Sequence, residues 1–271
     1  MNVPKITLHT HTTYCDGADT PEEMVRAALE AGVETLGFSG HSFTPFDPSW
    51  CMSEEGTVRY REEILRLRKV YGGRINILLG IERDFFSAPD PYPYDYVIGS
   101  IHYILADDGA VCPVDESPKD TETAIREHFG GDACAWVRRY YETVARVKER
   151  TGCDVVGHFD LVEKFNAGNR FFDPETPACR MAAHTALRRL LDADAIFEIN
   201  TGAMVNGYRN TPYPAPDLLR VIAGAGGRVL LSADAHDSAH LLSGFSEAAH
   251  YAAACGVSRL TVPRDGKWIE F

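Results

Sequence analysis

Seven short runs of aliphatic and β-branched residues recur along this chain, and each runs out into polar side chains suited to a cation or a phosphate. The runs cover residues 6–9, 35–39, 75–79, 95–98, 154–156, 196–199 and 228–231. Segments with helical spacing separate them, at 21–31, 54–71, 133–150, 179–191, 216–225 and 246–255. The first of these is the clearest, with Thr20 placed as its cap, Pro21 at its first position and Gly32 as its stop. Strand and helix alternating in this way predict an α/β fold with a parallel sheet and crossover helices, and seven units predict a closed or nearly closed barrel. A length of 271 residues suits one barrel domain spanning 1–271. Only the 106–132 stretch interrupts the rhythm. It is acidic and contains Pro113 and Pro118, which predicts an insertion or lid beside the loop of the fourth strand.

The residues just past the strands carry the chemistry. The first run ends in His9-Thr10-His11, with Asp16 five residues on, and the second in Gly40-His41. The third leads into Glu82, the fourth into His102 and the fifth into His158. The sixth passes Glu198 to Asn200, and the seventh ends in Asp234-Ala235-His236. In an α/β barrel the C-terminal strand ends share one face, where active sites form. Residues i and i+2 of an extended chain point the same way, so His9 with His11, and Asp234 with His236, can each grip one cation. Imidazole and carboxylate without thiolate favour zinc, iron or manganese over calcium or magnesium. Nine candidate ligands (His9, His11, Asp16, His41, Glu82, His102, His158, Asp234, His236) exceed what one catalytic zinc needs, so two or three divalent ions are expected.

Composition removes other classes. With 27 Lys+Arg against 39 Asp+Glu the net charge is −12, and no basic run exceeds two residues, which argues against a nucleic-acid or anionic-lipid partner. The opening residues 1–5 lack the apolar stretch of a signal peptide, and nowhere do apolar residues run to the ~18 of a membrane helix. Seven scattered cysteines without a C-x-x-C pair predict free thiols rather than a disulfide frame. The expectation is a cytoplasmic protein, monomeric or a small homo-oligomer, acting on a small molecule.

The ordered set His9-Thr10-His11, Asp16-Gly17, Gly40-His41-Ser42, Gly80-Ile81-Glu82, Gly99-Ser100-Ile101-His102, Gly157-His158 and Asp234-Ala235-His236 resembles the PHP (polymerase and histidinol phosphatase) superfamily, specifically its histidinol-phosphate phosphatase branch. The resemblance spans residues 9 to 236 and implies a distorted (β/α)7 barrel with a trinuclear centre at the C-terminal ends of the strands. By that resemblance His9, His11, Glu82 and Asp234 hold the first metal. Glu82 bridges to a second metal on His102 and His158, and Asp16, His41 and His236 hold a third. It further implies hydrolysis of a phosphate monoester, L-histidinol phosphate of histidine biosynthesis, by a hydroxide bridging two metals. Asp234, His41 or His236 would protonate the leaving oxygen, and Arg209 and Lys164 would bind the substrate phosphate. An amino-alcohol substrate also carries positive charge, which acidic residues of the 107–116 stretch would attract.

Two other functions fit the same residues: a phosphoesterase acting on a nucleotide or cyclic phosphodiester, and a metal-binding or polymerase-associated barrel without this turnover. The full complement of nine ligands speaks against an inert barrel. The remaining histidines, His128, His184, His240 and His250, match no motif and read as structural or surface groups, and Cys15 beside Asp16 reads as a small buried residue. Asn200 reads as a loop-shaping residue, and Arg83, next to Glu82, as a structural one pointing away from the metals. Trp136, Tyr140, Tyr141, Val144 and Val147 are spaced as a core-facing helix stripe.

Overall fold

The computed structural model describes residues 3–88 and 90–271; Met1 and Asn2, part of the N-terminal reading above, lie outside them. Strands β1 (Ile6–Thr7), β2 (Thr35–Phe38), β3 (Asn76–Asp84) and β4 (Tyr96–Ser100) are followed by an antiparallel hairpin of β5 (Tyr103–Leu105) and β6 (Val111–Pro113). Strands β7 (Val155–Val156), β8 (Ile196–Asn200) and β9 (Arg228–Ser232) come next, and β10 (Thr261–Arg264) and β11 (Lys267–Glu270) form a second hairpin. One parallel sheet runs β1-β2-β3-β4-β7-β8-β9. Its two edges meet at the Thr10–Ala235 bridge, where His11 N–H donates to Ala235 O at 2.8 Å and Ala235 N–H to His9 O at 3.1 Å. The expected seven-stranded, nearly closed barrel is what forms.

Inside the barrel Leu8, Tyr96, Ile98, Val155, Ile196 and Leu230 make a small buried cluster, the floor. Tyr96 spans it, its hydroxyl donating to Leu8 O and Phe38 O. Gly37 and Gly80 make the room: a Cβ on Gly80 would lie 2.3 Å from the Tyr96 ring, and one on Gly37 2.4 Å from its hydroxyl. The larger core lies outside the sheet, under the helices. These are α1 (Pro21–Glu30), α2 (Glu54–Tyr71), α3 (Pro118–His128), α4 (Ala133–Val144), α5 (Val147–Thr151), α6 (Pro177–Asp192), α7 (Gly202–Val205), α8 (Pro216–Gly224) and α9 (Phe245–Ala254). Helix α1 starts with a full capping box between Thr20 and Glu23 and buries Met24, Val25 and Ala28 on one face. The stripe of Trp136, Tyr140, Tyr141, Val144 and Val147 is buried in this outer core. Among the described residues no helix is long and apolar enough to cross a membrane.

The structure corrects two sequence expectations. The third strand does not stop near Leu79. Residues 76–79 pair with β2 and residues 80–84 pair with β4, so Glu82 sits inside a strand and is held by its ladder. The helix expected over 133–150 breaks after Val144: Arg146 N–H reaches back only to Thr143 O, and the chain bends so that Val147 and Thr151 stay buried. Within 106–132, Pro118 opens α3 behind the Ser117 cap, in the first turn, where a missing N–H costs nothing.

Candidate metal centre

All nine expected ligands converge at the C-terminal rim. His9, His11 and Glu82 are fully buried, and His41, His102 and His158 nearly so, whereas Asp16, Asp234 and His236 reach the solvent side. His9 Nε2 lies 3.2 Å from Glu82 Oε2 and 3.4 Å from Asp234 Oδ1; His11 Nε2 lies 3.5 Å and 3.3 Å from the same two oxygens. A cation about 2.0–2.2 Å from each of four tetrahedral donors would set their separations at roughly 3.3–3.6 Å. His9 Nε2, His11 Nε2 and Glu82 Oε2 are buried with no hydrogen-bond partner, a state that costs free energy unless something else binds them. The donor set therefore fits a divalent cation. The other oxygen of Glu82, Oε1, lies 3.1 Å from His158 Nε2 and 3.6 Å from His102 Nε2, which makes Glu82 a shared corner between two groups. Asp16 completes a third, with His41 Nε2 at 3.6 Å, His236 Nε2 at 3.2 Å and His11 Nδ1 at 3.6 Å.

Local structure explains these positions. Asp16 is turned back toward His11 by a loop in which Gly17 N–H donates to Thr12 O, and a Cβ on Gly17 would lie 2.4 Å from Thr12 N. Asp234 has a left-handed backbone, φ 53°, unusual for a residue other than glycine, and this turns its carboxylate off the end of β9 into the site. Asn200 donates to Asp234 Oδ2 at 3.1 Å and to Glu198 Oε2 at 2.9 Å, so the loop-shaping residue also orients a candidate ligand.

The three carboxyls and His11 are held in the ionisation states that cation capture needs. Burial opposes charge on Glu82 and Asp234, but the surrounding histidines overcome it and hold both carboxyls well below their usual range. Asp16 is lowered likewise, chiefly by His41 and His236 against burial. Burial and the neighbouring His236 and His41 push His11 down to about 3, leaving it neutral and ready to ligate. For His9 burial works against the charged ring, but Asp234, Glu198 and Glu82 outweigh it and hold its pKa well above the ordinary value.

Sequence reasoning missed the layer beneath. Glu198 is fully buried; its Oε1 lies 2.5 Å from His9 Nδ1 and accepts from Ser232 Oγ at 2.5 Å, while Oε2 accepts the His158 backbone N–H at 2.9 Å. It fixes His9 with Nε2 facing the other ligands, the usual way a carboxylate orients a metal-binding histidine. Asp84 does related work for His102, accepting its backbone N–H at 3.1 Å. Glu198 stands two residues before Asn200 on β8 and Asp84 two residues after Glu82 on β3, and that even spacing was the available signal. Trp50 was also missed: its ring meets His41 edge-on at 4.5 Å, and its Nε1 donates to Tyr103 at 2.8 Å.

A cavity of about 320 Å³ opens above the ligands. Asp16, His41, Glu82, His102, His158, Asp234 and His236 line its depth, and Trp50, Tyr103, Asp115, Glu116, Lys164 and Tyr208 belong to its walls. Lys164 is thus in the cavity, held by Asp115. Arg209 is not in the lining of this cavity. Its guanidinium is buried one layer back, over the Tyr213 ring at 4.4 Å and beside Asp160 at 3.3 Å and Glu163 at 3.8 Å. Burial and the Asp160 charge push the Glu163 carboxyl above its usual range. Of the acidic 107–116 stretch, Asp115 and Glu116 reach the cavity, while Asp107 is exposed and paired with Arg139. Arg83 turns outward and donates to Thr151 O at 2.7 Å. His128 pairs with Asp108, His240 with Asp237, and His250 with Ser246 O, all away from the centre. All seven cysteines are free, Cys15 lying 3.7 Å from His11 Nδ1.

Known proteins resemble this chain in sequence and in fold. The sequence profile of the PHP domain matches residues 7–202. A protein from Deinococcus radiodurans named "Probable histidinol-phosphatase" is 31% identical over 254 residues, covering 89% of each chain. A crystal structure from Listeria monocytogenes superposes with TM-score 0.77 at 19% identity, covering 89% of this chain and 99% of that one. A second, histidinol phosphate phosphatase from Lactococcus lactis subsp. lactis complexed with zinc, L-histidinol and phosphate, superposes with TM-score 0.72 at 20% identity, covering 99% and 100%.

Proposed function

The chain belongs to the PHP domain family, and from that premise we propose that it is a metal-dependent phosphate monoester hydrolase acting on L-histidinol phosphate in cytoplasmic histidine biosynthesis. The observation that carries this reading is the quartet of His9, His11, Glu82 and Asp234, three of whose facing atoms are buried and unpartnered at separations of 3.2–3.5 Å. These four would hold one cation, Glu82 with His102 and His158 a second, and Asp16, His41 and His236 a third: two or three ions of zinc, iron or manganese. When bound, such ions neutralise charge on a phosphoryl group and acidify water toward neutral pH.

The chain's own residues do the rest. The cavity admits a small ester and directs it against Glu82, Asp234 and the histidines at its depth. Lys164 Nζ supplies a positive charge for the phosphate oxygens from the wall. Asp234, His41 and His236 line the depth and are the groups within reach of a leaving alkoxide oxygen that needs a proton. Glu198 keeps the His9 ring in one tautomer and orientation. Arg209 acts from behind the wall by neutralising Asp160, and meets a phosphate only if it leaves it.

A phosphate-release panel on metal-loaded protein tests the proposal. L-histidinol phosphate is expected to turn over with the highest kcat/KM; equal or faster release from p-nitrophenyl phosphate or nucleotides would replace the named substrate. Elemental analysis of the loaded protein is expected to give more than one metal per chain, and one equivalent or fewer would refute a multinuclear centre.

A further inference from the structure

Lys164 is the only lysine or arginine lining the cavity among the described residues, and it is already engaged: its Nζ donates to Asp115 Oδ2 and to Asp115 O, each at 3.0 Å. Both side chains are about three-quarters buried. Asp115 is held firmly relative to the metal ligands, because the N–H of the preceding Val114 donates to His102 O at 2.8 Å. Of the other carboxylates lining the cavity, Asp16, Glu82 and Asp234 face histidines, whereas Asp115 faces Lys164. This arrangement is awkward for a simple phosphate site. A phosphate dianion that draws Lys164 away leaves a part-buried carboxylate unpaired beside a second anion, which costs free energy. The cost disappears when the incoming ester brings its own cation.

We propose that Asp115 is the ammonium-recognising residue of the site, and that a zwitterionic phosphate ester splits the Lys164–Asp115 pair by taking one charge on each side. Lys164 turns to the phosphate and Asp115 accepts hydrogen bonds from an amine borne on the carbon next to the ester carbon. In such an N–C–C–O–P unit the two charges are neighbours, as they are in the side-chain pair they replace. The same carboxylate rejects esters of similar size that are neutral or acidic beyond the phosphate, because they leave it unpaired. Specificity therefore comes from an exchange of ion pairs, and the inference rests on the phosphatase reading above.

The test compares L-histidinol phosphate with 3-(imidazol-4-yl)propyl phosphate, which has the same ring and phosphate and lacks the amine. Metal-loaded wild-type protein is expected to prefer the amine-bearing ester by about tenfold or more in kcat/KM, the usual scale of a charge-assisted hydrogen bond. Asp115→Asn should collapse that ratio toward one, mainly through KM of the amine-bearing ester, and Asp115→Glu should restore part of it. A wild-type ratio near one overturns the proposal, as does an Asp115→Asn variant that loses activity equally on both esters, which would make Asp115 only an anchor for Lys164. Should neither ester be hydrolysed, the phosphatase reading fails on its own. The ammonium site is then decided by calorimetric binding of L-histidinol against its deaminated analogue to wild type and Asp115→Asn: the same collapse of preference supports it, and an unchanged preference overturns it.

Discussion

The floor and the rim of the barrel are built along the same strands, four residues apart, yet their interiors are opposites. On β8 the inward positions step from Ile196 in the floor to Glu198 and then Asn200; on β9 from Leu230 to Ser232 and then Asp234. On β4 they step from Ile98 to Ser100 and His102. The period of two keeps each series on one face, so a change of residue type alone turns a packed plug into a polar chamber. Between the two lies a layer in which Glu198, Ser232 and Asn200 satisfy one another. Above it His9 Nε2, His11 Nε2 and Glu82 Oε2 make no hydrogen bond within the chain. Stability and function are thus stacked along one axis: the floor repels water and needs nothing further, while the rim is completed only by what binds to it.

The sharpest way to break this division is at Glu82. Glu82→Ala removes the corner shared by two ligand groups, and phosphate release from the metal-loaded protein should fall by at least about 1000-fold while the floor and the fold persist. A drop below tenfold would mean that the rim does not act as one unit. The converse change is Leu230→Ala, which opens a void in the floor. It should lower unfolding stability by about 2–4 kcal/mol in a denaturant titration with little change in kcat for the folded fraction. A large loss of kcat at unchanged stability would dissolve the distinction between the layers. Glu198→Gln probes the layer between them: it should weaken metal affinity by roughly 10–100-fold in a chelator competition. The smallest effect is that of pH. His9 is held protonated above its ordinary pKa in the metal-free protein, and ligation requires it neutral. Metal affinity should therefore rise with pH, by up to about tenfold per unit, until the raised pKa is passed, with protons released on binding. A flat profile between pH 6 and 8 would remove His9 from the ligand set.

Much of the rim was legible because its residues follow strands, and strand ends in such a barrel meet on one face. The i, i+2 pair His9 and His11, and Glu82, His102, His158 and Asp234, needed only that rule to be gathered. Glu198 and Asp84 were not found, because a carboxylate within a strand looks the same whether it ligates, supports a ligand or faces solvent. Its role depends on the ring beside it, which comes from a different strand. Arg209 shows the same limit from the other side. Its position after β8 promises the cavity, yet Asp160 and Glu163 from the loop after β7 hold its guanidinium behind the wall. Helix bounds failed where packing overrode propensity, as in the bend after Val144 that keeps Val147 buried.

The amino-acid sequence by itself determined the alternation of strand and helix, the chemical class of the ligands and the end of the barrel at which they collect, since these follow from local periodicity and residue type. Tertiary structure alone decided which donor atoms face one another, that Glu198 underlies His9, and that Arg209 stays out of the cavity lining. Those are distances between residues far apart in the chain, and they are fixed by how neighbouring strands register and loops fold back, not by any short stretch of sequence.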